Sequence, residues 1–256
     1  MMNIIRADMY RITRTGGIHL NFIFTALGAV GLIVLAVVFG NVDLDGLELN
    51  GVNSTNLLFN FSHFALISVL PIFTLTAAPI FRNKTAKNEV IWGISRTTLY
   101  TSRMLITAVL CILIRIVFVG TGLLTATIIR GFGEAPVGFW SNFFQVFTAQ
   151  TFMFIAASWV GIFIVFTIQN GFVVIEVFGG LMFFPMLVTQ TLTMLNVNPA
   201  VINFIGRFDM MEGIIQLANI GTIPTQTVVL ILALGAFWLI VPTALGILTF
   251  QKAEIK

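Results

Sequence analysis

The chain has 256 residues, 58% of them hydrophobic and only 9% charged, with a mean hydropathy of +1.02 and a formal net charge of +3. Soluble domains carry roughly 25% charged residues, so this composition excludes an ordinary soluble protein and predicts an all-α integral membrane protein. The basic residues sit at the ends of apolar runs and form no patch interleaved with aromatics, which argues against nucleic acid as a partner.

Residues 2–15 place Ile5, Met9 and Ile12 on one helical face and Arg11 and Arg14 on another, predicting an amphipathic helix in the membrane interface. Gly16–Gly17 predicts a break before the chain turns into the bilayer. A span needs about 20 apolar residues. Six such segments lie near 19–39, 57–80, 104–128, 142–168, 171–190 and 226–249. The first is not read as a cleaved signal peptide, because its apolar run from Phe22 to Phe39 is too long and the polar stretch before it is long. Between spans four and five, Gln169, Asn170 and Gly171 leave almost no loop, so these two helices are expected to pack as a hairpin. Residues 190–226 are long, external and half apolar. Asn198–Pro199 suits a helix cap and first turn. Val201, Ile202, Ile205, Phe208 and Met211 then predict one amphipathic helix within a re-entrant or interfacial region.

Lys and Arg are retained in the cytoplasm during insertion. With these spans, ten of the thirteen basic residues fall on one side: Arg6, Arg11, Arg14, Arg82, Lys84, Lys87, Arg96, Arg103, Lys252 and Lys256. Asp43, Asp45, Glu48, Glu134, Asp209 and Glu212 fall on the other, with Arg130 and Arg207. Both termini are therefore expected in the cytoplasm. The strongest basic segment, 82–103, joins spans two and three and carries a single acid, Glu89. Its middle reads as a short amphipathic helix, with Ala86, Val90, Ile91 and Ile94 on one face and Lys84, Lys87 and Asn88 on the other. A surface helix of this kind can offer its polar side to a soluble partner, or the segment can serve only to set topology.

Lys87-Asn-Glu-Val-Ile-Trp-Gly-Ile-Ser-Arg96, continuing to Tyr100, Ser102 and Arg103, resembles the permease (transmembrane) subunit of ABC type-2 transporters. In that family a short cytoplasmic coupling helix is followed by Gly-Ile-Ser-Arg, then an aromatic and a basic residue opening the third span. Arg103 stands where Lys is common. The resemblance in architecture covers nearly the whole chain, while the match in sequence is concentrated in about twenty residues. It implies a single permease domain that sets its coupling helix into a separate cytoplasmic ATP-binding subunit and pairs with a second permease copy. Lys87, Asn88, Glu89, Trp92, Gly93, Ser95 and Arg96 would then form or follow the coupling element. ATP and Mg would sit on the partner, and this chain would bind no cofactor. No G-x-x-x-x-G-K-[ST] loop is present, in keeping with that division. The small size resembles exporters of antimicrobial and amphipathic peptides and lantibiotic-immunity permeases, which implies a bacterial cell membrane and an amphipathic peptide or lipid-like substrate.

Within the spans, Arg115 lies near the middle of span three, where an Arg costs about 3 kcal/mol or more, so it is expected to face the interior or water. Glu176 is the membrane-embedded acid and its natural partner, although their axial offset is about 10 Å. Gln145, Gln150 and Asn170 could join that network. Arg115, Glu176 and Gln150 are accordingly candidates for a substrate path or for a structural pair. Ala157, Gly161 and Gly179–Gly180 permit close helix contact. Phe143, Phe144, Phe147, Phe152 and Phe154 could form an aromatic wall suited to an amphipathic substrate. His19 and His63 are expected at span ends, and lone Cys111 can form no internal disulfide. Two rival functions remain at this stage: a gradient-driven secondary transporter using Arg115 and Glu176, and a non-transporting scaffold or sensor.

Overall fold

The computed structural model describes residues 2–39, 50–206 and 208–252. Expectations for Asp43, Asp45, Glu48, Arg207 and Lys256 therefore lie outside the described residues. The elements run α1 (Met2–Thr13), α2 (Gly16–Phe39), α3 (Gly51–Asn60), a 3-10 helix (Phe61–Ser68), α4 (Val69–Thr76), α5 (Ala78–Arg82), α6 (Thr85–Ile91), α7 (Arg96–Arg130), α8 (Phe139–Ile168), α9 (Gly171–Met194), α10 (Pro199–Gly206), α11 (Met210–Leu217) and α12 (Thr225–Lys252). No strand occurs among the described residues.

Six helical segments are long and apolar enough to cross a membrane, which makes the chain a multi-pass membrane protein. Span two is Gly51–Arg82 and span three is Arg96–Arg130, both longer than their apolar cores suggested. Polar side chains cap these extensions. Asn50 accepts from the Asn53 amide at 2.9 Å, and the Ser95 hydroxyl accepts from the Thr98 amide at 3.1 Å. The turn between α8 and α9 is as short as expected. Gln169 takes a left-handed φ of 58°, and Asn170 caps α9 by accepting from the Phe172 amide at 3.1 Å.

Span four is the centre of the bundle, with 67% of its most apolar stretch buried, against 17% for each of spans one, five and six. Gly161 makes the central crossing possible, because a Cβ there would overlap the ring of Phe73 on α4. Gly179 and Gly180 were expected to do the same but face open space. At the end holding α6, Phe166 meets Tyr100, Phe250 and Phe81 edge-on at 4.9, 4.8 and 5.1 Å, joining spans three, six and two to span four.

The region after α9 differs from the single amphipathic helix expected there. Asn198 does cap α10, accepting from the Ala200 amide at 2.9 Å. The run then breaks, and Asp209 starts α11 by accepting from the amides of Met211 at 2.8 Å and Glu212 at 3.3 Å. Ile214 and Leu217 are fully buried where α11 packs against α8, α9 and the 3-10 helix. A capping acid interrupts the apolar periodicity, so one predicted element becomes two.

Candidate functional site

Two polar centres stand out. The first joins α1, α6 and α7. Arg103 is fully buried two turns into α7 and forms an ion pair with Asp8 of α1. Its other amino group lies 3.8 Å from Glu89 of α6. Arg11 approaches the second Asp8 oxygen at 3.5 Å. Pairing of this kind offsets much of the desolvation cost of a buried guanidinium. Burial pushes the Glu89 carboxyl above its ordinary range, and neighbouring Arg11 partly offsets this. Sequence reading missed Asp8. The signal was there: it is the acid of α1, and it shares the helical face of Ile5, Met9 and Ile12, which packs on the bundle.

These contacts redistribute the residues assigned to the coupling element. Glu89 faces inward instead of offering itself to a partner. Arg96 donates from Nη1 to the carbonyls of Phe250 and Gln251, both at 2.9 Å, and so caps the carboxyl end of α12. Ser95 caps α7, and Gly93 ends α6 with a φ of 85° that a side chain rarely adopts. Lys87, Asn88 and Trp92 do face outward, Trp92 at 86% exposure. Ile91 was expected on the apolar inner face with Ala86, Val90 and Ile94. It is instead 70% exposed beside Trp92. Short α6 turns only part of its circumference to the bundle, and Ala86 already fills that contact.

The second centre lies mid-bundle. Gln150 of α8 is fully buried and uses its whole carboxamide. Nε2 donates to the carbonyls of Phe59 at 3.0 Å and Ile214 at 2.7 Å. Oε1 accepts from Ser62 at 3.0 Å and from Arg115 Nη2 at 2.8 Å. One side chain thus ties α3, the 3-10 helix, α7, α8 and α11 together. Arg115 is fully buried, with its guanidinium carbon 4.8 Å from the Phe154 ring centroid and 5.6 Å from that of Phe147. Its Nε and Nη1 have no hydrogen-bond partner among the described residues.

The expected partnership with Glu176 is not formed. Glu176 is exposed on α9 and makes no ion pair among the described residues, whereas Arg115 points at Gln150. The axial offset of about 10 Å was the weak point of that expectation, and the outward face of α9 decides against it. Gln145 is also exposed, lining a 790 Å³ pocket with Ser141, Phe144, Thr148 and Phe152. Only part of the expected aromatic wall reaches this pocket, because Phe154 is buried against Arg115. His63 lies within span two at the start of its 3-10 helix and not at a span end.

Two predictions arise here. Removing the uncompensated charge with Arg115→Met leaves Gln150 Oε1 bonded to Ser62. Thermal unfolding in detergent should report unchanged or higher stability, by about 1 kcal/mol. A loss of 2 kcal/mol or more would contradict an uncompensated Arg115. The second concerns Asp209. Burial raises its carboxyl above the usual aspartate range, outweighing the Glu212 and Met211 amides and nearby His63, which lower it. A raised acid contributes stability that is present below its ordinary value, about pH 4, and lost as pH rises through the raised one. Acidifying from pH 7 should therefore stabilise the protein more than it stabilises Asp209→Asn, which keeps the cap. Parallel melting curves for the two would refute this.

No protein-family model and no curated protein matches this chain.

Proposed function

We propose that the chain is the transmembrane subunit of an ATP-driven ABC exporter in a bacterial cell membrane, with both termini in the cytoplasm. The observation that carries this reading is the outward tip of α6. Ile91 and Trp92 are exposed side by side, with Lys87 and Asn88 along the same helix, and among the described residues their side chains make no hydrogen bond or ion pair. Behind the tip, Ala86 and the Glu89–Arg103–Asp8 cluster hold α6 against α7 and α1. A large aromatic on a helix anchored by Ala86 and Glu89 suits insertion into a groove of a soluble ATP-binding subunit. ATP and Mg belong to that subunit, and this chain catalyses nothing itself. In this arrangement α6 is the coupling helix and α1 lies in the cytoplasmic interface of the membrane.

A second copy of the permease would cover span five, whose Glu176, Phe172 and Phe184 are exposed. An amphipathic peptide or lipid-like molecule is the proposed cargo. The mixed lining of the pocket between α8 and α12, with Ser141, Gln145 and Thr148 beside Phe144 and Phe152, suits such a molecule. The gradient-driven alternative loses its main support, since Arg115 and Glu176 do not meet.

The test is copurification from native cells in mild detergent. An ATP-binding subunit should accompany the wild-type chain. Trp92→Ala should weaken its binding about thirtyfold, the loss of a hot spot worth about 2 kcal/mol. Because Trp92 is so exposed, this change should leave the melting temperature alone, unlike a charge reversal at Glu89. A preparation that holds no ATPase yet transports along an ion gradient would overturn the reading.

A further inference from the structure

The 3-10 helix in span two runs for eight residues, Phe61–Ser68, between two α-helices. Such helices rarely exceed three or four residues because their hydrogen bonds are poorer, and a long one inside a span marks a hinge or a strained segment. Phe-Ser-His-Phe-Ala-Leu-Ile-Ser itself contains no Pro or Gly and its flanks are α-helical, while Pro71 beyond it denies an α-helical donor only to the Ile67 carbonyl.

Side chains from two other spans hold its ends. At one end, Gln150 Nε2 donates to the Phe59 carbonyl at 3.0 Å, and the single Ser62 hydroxyl proton is shared between the Phe59 carbonyl at 2.8 Å and Gln150 Oε1 at 3.0 Å. The next carbonyl, that of Asn60, pairs with His63 Nδ1 at 2.9 Å. At the other end, Asn21 of α2 donates from Nδ2 to the Ser68 carbonyl at 2.9 Å, and Thr25 donates to the Ser68 hydroxyl at 2.8 Å. Pro71 has no N–H to offer Ser68 in the three-residue pattern, so Asn21 supplies the donor there. Asn21, Ser62, Ser68 and Gln150 are all buried, where a lost partner is costly.

We propose that Phe61–Ser68 is a two-state hinge, held in its 3-10 form by the carboxamides of Asn21 and Gln150 and converting toward α-helix when they release it. The α-form rises 1.5 Å per residue instead of about 2.0 Å and turns 100° instead of 120°. Conversion of half to all of the segment shortens span two by about 2–4 Å and rotates its far end. That far end carries α5 and α6. The hinge therefore links the position of the α6 tip to a buried polar latch in spans one and four. This inference stands on span two alone and does not require the ATPase reading.

Distance measurements between spin labels test it. Labels at Asn56→Cys and Asn83→Cys flank the segment in a Cys111→Ala background. The full chain is reconstituted in nanodiscs and diluted with unlabelled copies. Wild type should give one dominant distance. Asn21→Leu, which removes only the latch at Ser68, should add a population about 2–4 Å shorter, and Ser62→Ala should do the same from the other end. Gln145→Leu, outside the latch, should leave the distribution as it was. Folded Asn21→Leu and Ser62→Ala proteins with the wild-type distance would overturn the hinge. An equal shift in Gln145→Leu would overturn the assignment of the latch.

Discussion

Replacing Gln150 with leucine will destabilise the protein by about 3 kcal/mol, the largest loss expected from any single uncharged side chain. Four groups lose a bond at once, the carbonyls of Phe59 and Ile214, the Ser62 hydroxyl and Arg115 Nη2, although Ser62 and Phe59 still pair with each other at 2.8 Å. A buried orphan costs about 1–3 kcal/mol in water-soluble proteins. Inside a bilayer the unfolded helices also find partners, and measured values average nearer 0.6 kcal/mol per bond, so the sum is taken near the low end. Thermal or denaturant unfolding in detergent would register the loss, with Gln145→Leu on the same helix as the silent control. Hydrogen exchange should localise the damage to α11 and the 3-10 segment, which depend on Gln150 from opposite sides. A Gln150→Leu protein as stable as wild type would mean that the five elements are held by packing alone.

The second large effect concerns the charge cluster. Asp8→Leu leaves Arg103 fully buried with only Glu89, 3.8 Å away, to balance it. Breaking one side of a buried pair costs about 3–5 kcal/mol, and the surviving Glu89 contact places this case near 3. Removing both charges behaves differently. Asp8→Leu with Arg103→Met substitutes apolar groups for the whole pair and should recover most of the loss. The double-mutant cycle should therefore give a coupling energy of about 2 kcal/mol or more. Additive losses would show that Asp8 and Arg103 act separately. Proteolysis near Arg14 offers an independent view, because α1 is pinned by Asp8 and Ile12 and should become accessible in the single variant.

Both centres explain why some residues were legible in the sequence and others were not. Spans announce themselves by length and apolarity, so all six were readable, with the largest errors where polar caps such as Asn50 and Ser95 extend a helix past its apolar run. Ile5, Met9 and Ile12, read as one face of an interfacial helix, pack on the bundle. The internal contacts of Glu89 and Arg96 were not legible, because each lies in a basic loop that looks solvent-facing. Glu89 meets Arg103 on the next helix, and Arg96 meets the end of α12, far along the chain. Arg115 was recognised as anomalous, but its partner was sought among acids, whereas a neutral carboxamide meets it.

The one-dimensional pattern of apolar runs, basic clusters and capping residues was sufficient for the helical class, the six spans and the tight turn at Gln169–Asn170, because each depends on a few neighbouring residues and on the bilayer. Which polar side chains meet depends on helix rotation and depth, and these are set by packing among spans distant in sequence. Gly161 admitting Phe73 fixes how α4 sits on α8. That fit accompanies Ser62 at Gln150, Gln150 at Arg115, and Glu176 on an outward face. The 3-10 segment belongs to the same level. Most of its local sequence suits an ordinary α-helix, Pro71 biases only the last turn, and the donors of Asn21 and Gln150, arriving from two other spans, favour the longer form.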